Sequence, residues 1–180
     1  MLHEISRHLK KHLLAFPHED TIIFNNCMLG IRQNNFESID GKAINKSLAF
    51  IDGGQAEILS AGNFCLSFIR AAALVYLNHR KMKDYKYEFY LLTTANCQNG
   101  EVMYESKIFP LGDESLLDEN DLYVSSTDAT IRSGVERASI SKVSSMARRF
   151  AELALCAKVD ADIIVLDGIL EPSFKNEEKY

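Results

Sequence analysis

Apolar positions between residues 48 and 109 come in short alternating or continuous blocks separated by turn residues, which is a strand pattern. Residues 48–52 predict a strand, and Gly53-Gly54 a hairpin turn. A second strand follows over 56–60, a turn at Ala61-Gly62-Asn63, and a long apolar strand over 64–77. Connections this short make the meander antiparallel. Residues 78–86 read as a basic turn, and 87–94 with 101–109 as a hairpin around Asn99-Gly100. The period then changes. Val143, Met146, Ala147, Phe150, Leu153, Ala154 and Ala157 share one helical face, which predicts a helix over about 130–158. The all-apolar run 163–166 then has the character of a parallel strand buried on both faces.

Ahead of this region, Leu2, Ile5, Leu9, Leu13 and Phe16 form a helical stripe over 1–16, stopped by Pro17. His8 and His12 share a side of that helix and read as surface histidines rather than a metal pair. Residues 18–46 carry turn signals at Asn25-Asn26, Asn34-Asn35 and Asp40-Gly41 and no clear period. The organisation expected is an N-terminal helix with an irregular segment over 1–46, a main domain over 47–170 and a charged tail over 171–180.

Composition changes this picture little. The chain of 180 residues is 47% hydrophobic and 25% charged, enough to bury a sizeable core. Its formal net charge of -5 excludes a surface that attracts nucleic acid as a whole. Cys27, Cys65, Cys97 and Cys156 form no CxxC pair, so neither a zinc ribbon nor a disulfide framework is expected. With no apolar run long enough for a membrane helix and no secretory signal, the expected location is the cytoplasm.

The chemistry is concentrated in one phrase that occurs twice: Phe50-Ile51-Asp52-Gly53-Gly54 and Ile164-Val165-Leu166-Asp167-Gly168. Each is an apolar strand running into Asp-Gly. If the later strand pairs parallel to the first, both aspartates come to one rim of the sheet. Two carboxylates there repel unless a cation lies between them, and hard oxygen ligands suit magnesium or manganese. The plain alternative is two Asp-Gly turn caps. The basic and aromatic interleaving of Arg80, Lys81, Lys83, Tyr85 and Lys86 suits phosphate contact and base stacking, or a solvated hairpin tip. Arg148 and Arg149 suit phosphate contact or pairing with nearby acids, and the acidic stretch 113–128 reads as a solvated loop.

The order meander, helix, parallel strand is an α/β layout with a mixed sheet, that of the ribonuclease-H-like fold. The chain resembles the NurA family of DNA nucleases in Phe50-Ile-Asp-Gly-Gly, Ser67-Phe-Ile-Arg-Ala-Ala-Ala-Leu-Val-Tyr76, Arg148-Arg-Phe-Ala-Glu-Leu-Ala-Leu155 and Ala161-Asp-Ile-Ile-Val-Leu-Asp-Gly-Ile-Leu170. The resemblance implies a manganese-dependent (or magnesium-dependent) endonuclease and 5′ to 3′ exonuclease. It also implies a homodimer that works with a HerA-like ATPase in DNA end resection and double-strand break repair. It implies two-metal hydrolysis in which Asp52, Glu152 and Asp167 are the catalytic metal ligands, Asp52 bridging the ions. Glu136 is the alternative helical ligand, because Glu152 falls off the predicted apolar face. Gln55 and Ile169 depart from the family pattern. The resemblance also implies further strands and helices after Leu170, with histidine and tyrosine residues that assist the site, and cleavage that depends on them. An actin-like or sugar-kinase ATPase, with glycines cradling phosphate, and a non-catalytic partner-binding remnant are the competing readings. The N-terminal stripe fits packing on its own domain, or docking on the ATPase or a second subunit.

Overall fold

The computed structural model describes residues 2–14, 21–24, 27–38, 45–112, 115–169 and 171–180. The chain divides into two compact units, Met1–Lys42 and Ala43–Tyr180. Pro17, Asn25-Asn26, Asp40-Gly41, Asp113, Glu114 and Leu170 lie outside the described residues, as do the side chains of Leu2, Leu9, His12 and Leu13.

The first unit holds helix α1 (Leu2–Leu14), as its stripe predicts, with His8 exposed. Strands β1 (Thr21–Phe24) and β2 (Cys27–Gly30) pair antiparallel where the sequence shows no period. Four-residue strands are too short for alternation to register.

The second unit is built on one six-stranded sheet. Its strands are β3 (Leu48–Ala61), β4 (Phe64–Leu77), β5 (Arg80–Gln98), β6 (Glu101–Pro110), β7 (Val124–Ser125) and β8 (Ile163–Leu166), in the order β7-β6-β5-β4-β3-β8. β3 to β6 form an antiparallel meander, and β8 pairs parallel to β3, with Leu48 opposite Ile163 and Ile51 opposite Leu166. The described architecture is thus a mixed α/β arrangement with a mostly antiparallel sheet.

One expected turn is absent and another is shorter than expected. Gly53-Gly54 is no hairpin: the predicted strands 48–52 and 56–60 are halves of the single strand β3. Glycine carries no side chain to oppose extended backbone, and continuous pairing with β4, Gly53 to Ala71 and Gly54 to Arg70, outweighs its low strand preference. The phosphate-cradling turn needed by a kinase reading is therefore missing at Asp52-Gly53. Likewise, the turn between β4 and β5 consists only of Asn78 and His79, both at positive φ (48° and 63°), and residues 80–86 are already strand. Asn99-Gly100, also at positive φ, makes the hairpin turn expected of it.

Helix α2 (Lys142–Cys156) covers one sheet face. Ala49 and Ile51 of β3, Ile69, Ala71 and Ala73 of β4, and Phe89 and Leu91 of β5 pack with Val143, Met146, Ala147, Phe150 and Ala151 in the core. The helix begins about twelve residues later than its apolar period suggests. Gly134, at φ +68°, breaks any earlier helix, and residues 130–141 are turns pinned by Tyr104, whose hydroxyl donates to the Ala138 carbonyl at 2.5 Å.

Strand β8 corrects a further expectation. It is an edge strand, with Ile163 37%, Ile164 37% and Val165 41% exposed, because among the described residues only β3 pairs with it. An apolar run reads alike whether one side or two are covered.

The acidic stretch and the C-terminus are likewise tied down. Asp121 is buried and accepts from the Tyr180 hydroxyl at 2.9 Å and from Lys179, while Glu119 accepts the Ile108 N–H at 2.8 Å. Residues 171–180 are charged but are no free tail. Tyr180 stacks on Phe150 with ring centroids 4.9 Å apart, and Phe174 meets the same ring edge-on. Alternating charge hides these two aromatic anchors in the sequence.

Burial pushes the Tyr180 phenol up from 10.0 to about 12, and its hydrogen bond to Asp121 acts in the same direction. A raised folded-state value means stability that is complete below pH 10 and lost as pH rises toward 12. The urea midpoint of the wild type should fall more steeply over that window than that of Tyr180→Phe. At neutral pH the variant should be less stable by about 1 kcal/mol. Phe150→Ala should cost about 3–5 kcal/mol in the same measurement.

Candidate active site

The end of β8 leaves a gap beside the middle of β3. Pairing stops at Ile51 opposite Leu166, so Asp52 and Asp167 are the next residues on two parallel strands. Both residues border one cleft at this rim, although Asp52 lies within its strand and not at its end. Asp52 and Asp167 line one cleft of about 350 Å³ together with Glu152, Arg148, Arg149 and Ile169. Both also border a second cleft of about 640 Å³, lined by Phe50, Gly54, Arg70, Ala72 and Leu74. The alternation of β3 separates the two: Ala49 and Ile51 are buried against α2, whereas Phe50 and Asp52 are exposed.

Glu152 reaches the cleft from α2. It is only 4% exposed, and Gly53 makes room for it: a Cβ on Gly53 would lie 2.6 Å from Glu152 Oε1 and 3.1 Å from Arg148 Cγ. The helix face expected to exclude Glu152 is wider than the apolar stripe, since Ser144, Arg149 and Glu152 are buried as well. The sheet lies on one side of α2, while Phe174 and Tyr180 approach its Phe150. Glu136, the alternative ligand, is exposed in the turn before the helix and does not line the cleft.

Each carboxylate has a defined environment. The Glu152 carboxylate pairs with Arg148, one turn earlier on the same helix face, and Arg148 Nη1 also donates to the Gly53 carbonyl at 3.2 Å. Burial raises the Glu152 carboxyl above its ordinary range; Arg148 and Arg149 oppose the rise, and the negative charge of Asp52 adds to it. Asp52 Oδ1 accepts the Gly53 N–H at 2.8 Å. Asp167 is exposed at the end of β8.

Arg149 is committed to the frame. Its Nε donates to Glu177 at 2.9 Å and its Nη2 to the Ile169 carbonyl at 2.7 Å. Glu177 in turn accepts from the Ser173 and Phe174 N–H groups at 2.8 and 3.0 Å. The buried pair therefore fixes the loop that follows Asp167. Of the basic hairpin, Lys81 pairs with Asp84 at 2.9 Å, Lys86 with Glu88 at 2.8 Å, and Lys83 lies 4.2 Å from the Tyr85 ring centre. Lys86 occupies the cross-strand row of Ala72 and Asp52, two strands from the cleft, and Arg80 stands at the turn.

Three carboxylates around one cleft are the right donors for a hard divalent cation. They fit such an ion in donor type and border the same cleft, but they are not gathered. Among the described residues no three His, Cys, Asp or Glu side chains form a group able to hold a metal. Asp52 is on the sheet face away from α2, and Glu152 is engaged by Arg148.

The NurA domain model matches residues 46–180. The chain belongs to the NurA family, a family of nucleases. Comparison with curated proteins and with solved structures returned no match. No helix among the described residues is long and apolar enough to cross a membrane.

The close approach at Gly53 has a direct test. Gly53→Ala should destabilise the protein by about 1–3 kcal/mol, because Glu152 and Arg148 must move. Gly54→Ala, whose added methyl would meet nothing within 4 Å, should be near neutral in urea unfolding.

Proposed function

We propose that this protein is a metal-dependent DNA nuclease with endonuclease and 5′ to 3′ exonuclease activity. Its ligands are Asp52, Glu152 and Asp167, its ion is Mn2+ or Mg2+, and its core is ribonuclease-H-like. The observation that carries this reading is the convergence of these three carboxylates, distant in sequence, on one cleft in a NurA-family chain. The order β5-β4-β3-β8, with only the last strand parallel and a helix before it, supports the core assignment.

A bound divalent cation supplies Lewis-acid activation of water and neutralises charge on the scissile phosphate. The protein's own residues do the rest. Asp52 and Asp167 present oxygens from adjacent parallel strands. Glu152 adds a third from a helix held against Gly53. The Arg149–Glu177 pair keeps the loop after Asp167 in place. Arg80, Lys81, Lys83 and Lys86 of β5 are the proposed backbone contacts for the nucleic acid, with Tyr85 among them. The partners proposed are DNA, a second copy of the chain and a HerA-like ATPase, in the setting of DNA end resection in the cytoplasm.

The test is Mn2+-dependent degradation of single-stranded DNA. Asp52→Ala and Asp167→Asn should each reduce the rate by about 100-fold or more while leaving the fold intact by circular dichroism. Activity that survives Asp52→Ala would place the chemistry elsewhere.

A further inference from the structure

Glu152 is more than nine-tenths buried and already holds a cation, the guanidinium of its own helix neighbour. Arg148 is the less buried of the two, with 34% of its side chain exposed against 5% for Glu152. Its Nη1 bridges the Glu152 carboxylate and the Gly53 carbonyl, so the positive charge lies between the helix and the strand that carries Asp52. Arg148 also lines the cleft with all three carboxylates.

Resting on the metal-site reading above, we infer that Arg148 is a built-in placeholder cation that must release Glu152 before a divalent ion can be held. Several features lead there. A buried carboxylate without a counter-charge is costly, so Glu152 in its ionised form requires one. Arginine meets that need without leaving the helix, through i,i+4 spacing that any helix provides. A guanidinium engaged with Glu152 Oε1 takes up one of the two oxygens open to an ion, and its charge repels the ion. The exchange conserves charge compensation, since Glu152 passes from one cation to another. The partly exposed Arg148 side chain has solvent to move into, whereas Arg149, locked between Glu177 and Ile169, has none. The placeholder accounts for the engagement of Glu152, while the place of Asp52 follows from the alternation of β3.

The experiment is a double-mutant cycle on Mn2+ binding, followed by calorimetry or by the electron paramagnetic resonance of free Mn2+. Arg148→Gln should tighten Mn2+ binding about tenfold in the wild-type background and leave it unchanged in Glu152→Gln, where no carboxylate is left to free. Arg148→Lys keeps a charge but exchanges the planar fork for a single ammonium, and should tighten binding by a smaller factor. It also answers the question if Arg148→Gln does not fold. Arg70→Gln, which removes a charge from the neighbouring cleft without releasing a ligand, should shift affinity less than about twofold. Equal tightening by Arg148→Gln in both backgrounds, or none in either, overturns the placeholder. If Mn2+ binding by the wild type is nonetheless abolished by Asp52→Asn, the metal-site reading stands. Absence of Mn2+ binding in the wild type and in every variant overturns both.

Discussion

The contact on which the site depends is that between α2 and Gly53. A helix packs on a sheet at a distance set by the side chains between them. At Gly53 there is none, and the space goes to the carboxylate of Glu152 and the stem of Arg148. A buried acid thereby reaches the backbone of the strand that carries Asp52. The same glycine leaves its carbonyl open to Arg148, so strand, acid and base are joined at one point. The core between helix and sheet includes the small residues Ala49, Ala71, Ala73, Ala147 and Ala151 beside larger ones such as Phe89 and Phe150.

A second constraint acts from the other side of α2. Arg149 and Glu177 form a buried ion pair that also takes backbone partners at Ile169, Ser173 and Phe174. These further hydrogen bonds help offset the cost of taking the two charges out of water. Consecutive arginines on one helix thus do different work. Arg148 faces the cleft and remains partly solvated; Arg149 faces the C-terminal segment and fixes the loop that begins at Asp167. The charged residues 171–180 are integral to the fold for the same reason, with Phe174 and Tyr180 as apolar anchors and Asp121 as the acceptor for Lys179 and Tyr180.

Much of this was legible in the sequence, and the parts that were not have identifiable causes. Period and turn chemistry placed the long strand over 64–77 and the Asn99-Gly100 hairpin; that 163–166 pairs parallel to the first strand stood in the sequence only as the condition for Asp52 and Asp167 to share a rim, and the fold meets it. Local signals misled where tertiary pairing overrode them. Gly53-Gly54 has the composition of a turn, yet ladder bonds to Ala71 and Arg70 hold it extended. The residues ahead of α2 continue an apolar period that Gly134 interrupts. β8 was expected to be buried on both faces because an apolar run carries no record of which neighbours cover it.

What the sequence determined by itself is what depends on neighbours within a few residues: alternation, helical period, Asp-Gly spacing and the i,i+4 register of Arg148 and Glu152. The tertiary structure alone decided which face each acid takes, because that follows from where β8 stops along β3 and how closely α2 approaches it. These are relations between segments a hundred residues apart, set by packing volume and by the satisfaction of buried charge. No local pattern encodes either. Hence the chain announces its acids and their neighbouring arginines in its sequence, while the fold alone decides that Arg148 is held between Glu152 and the Gly53 carbonyl.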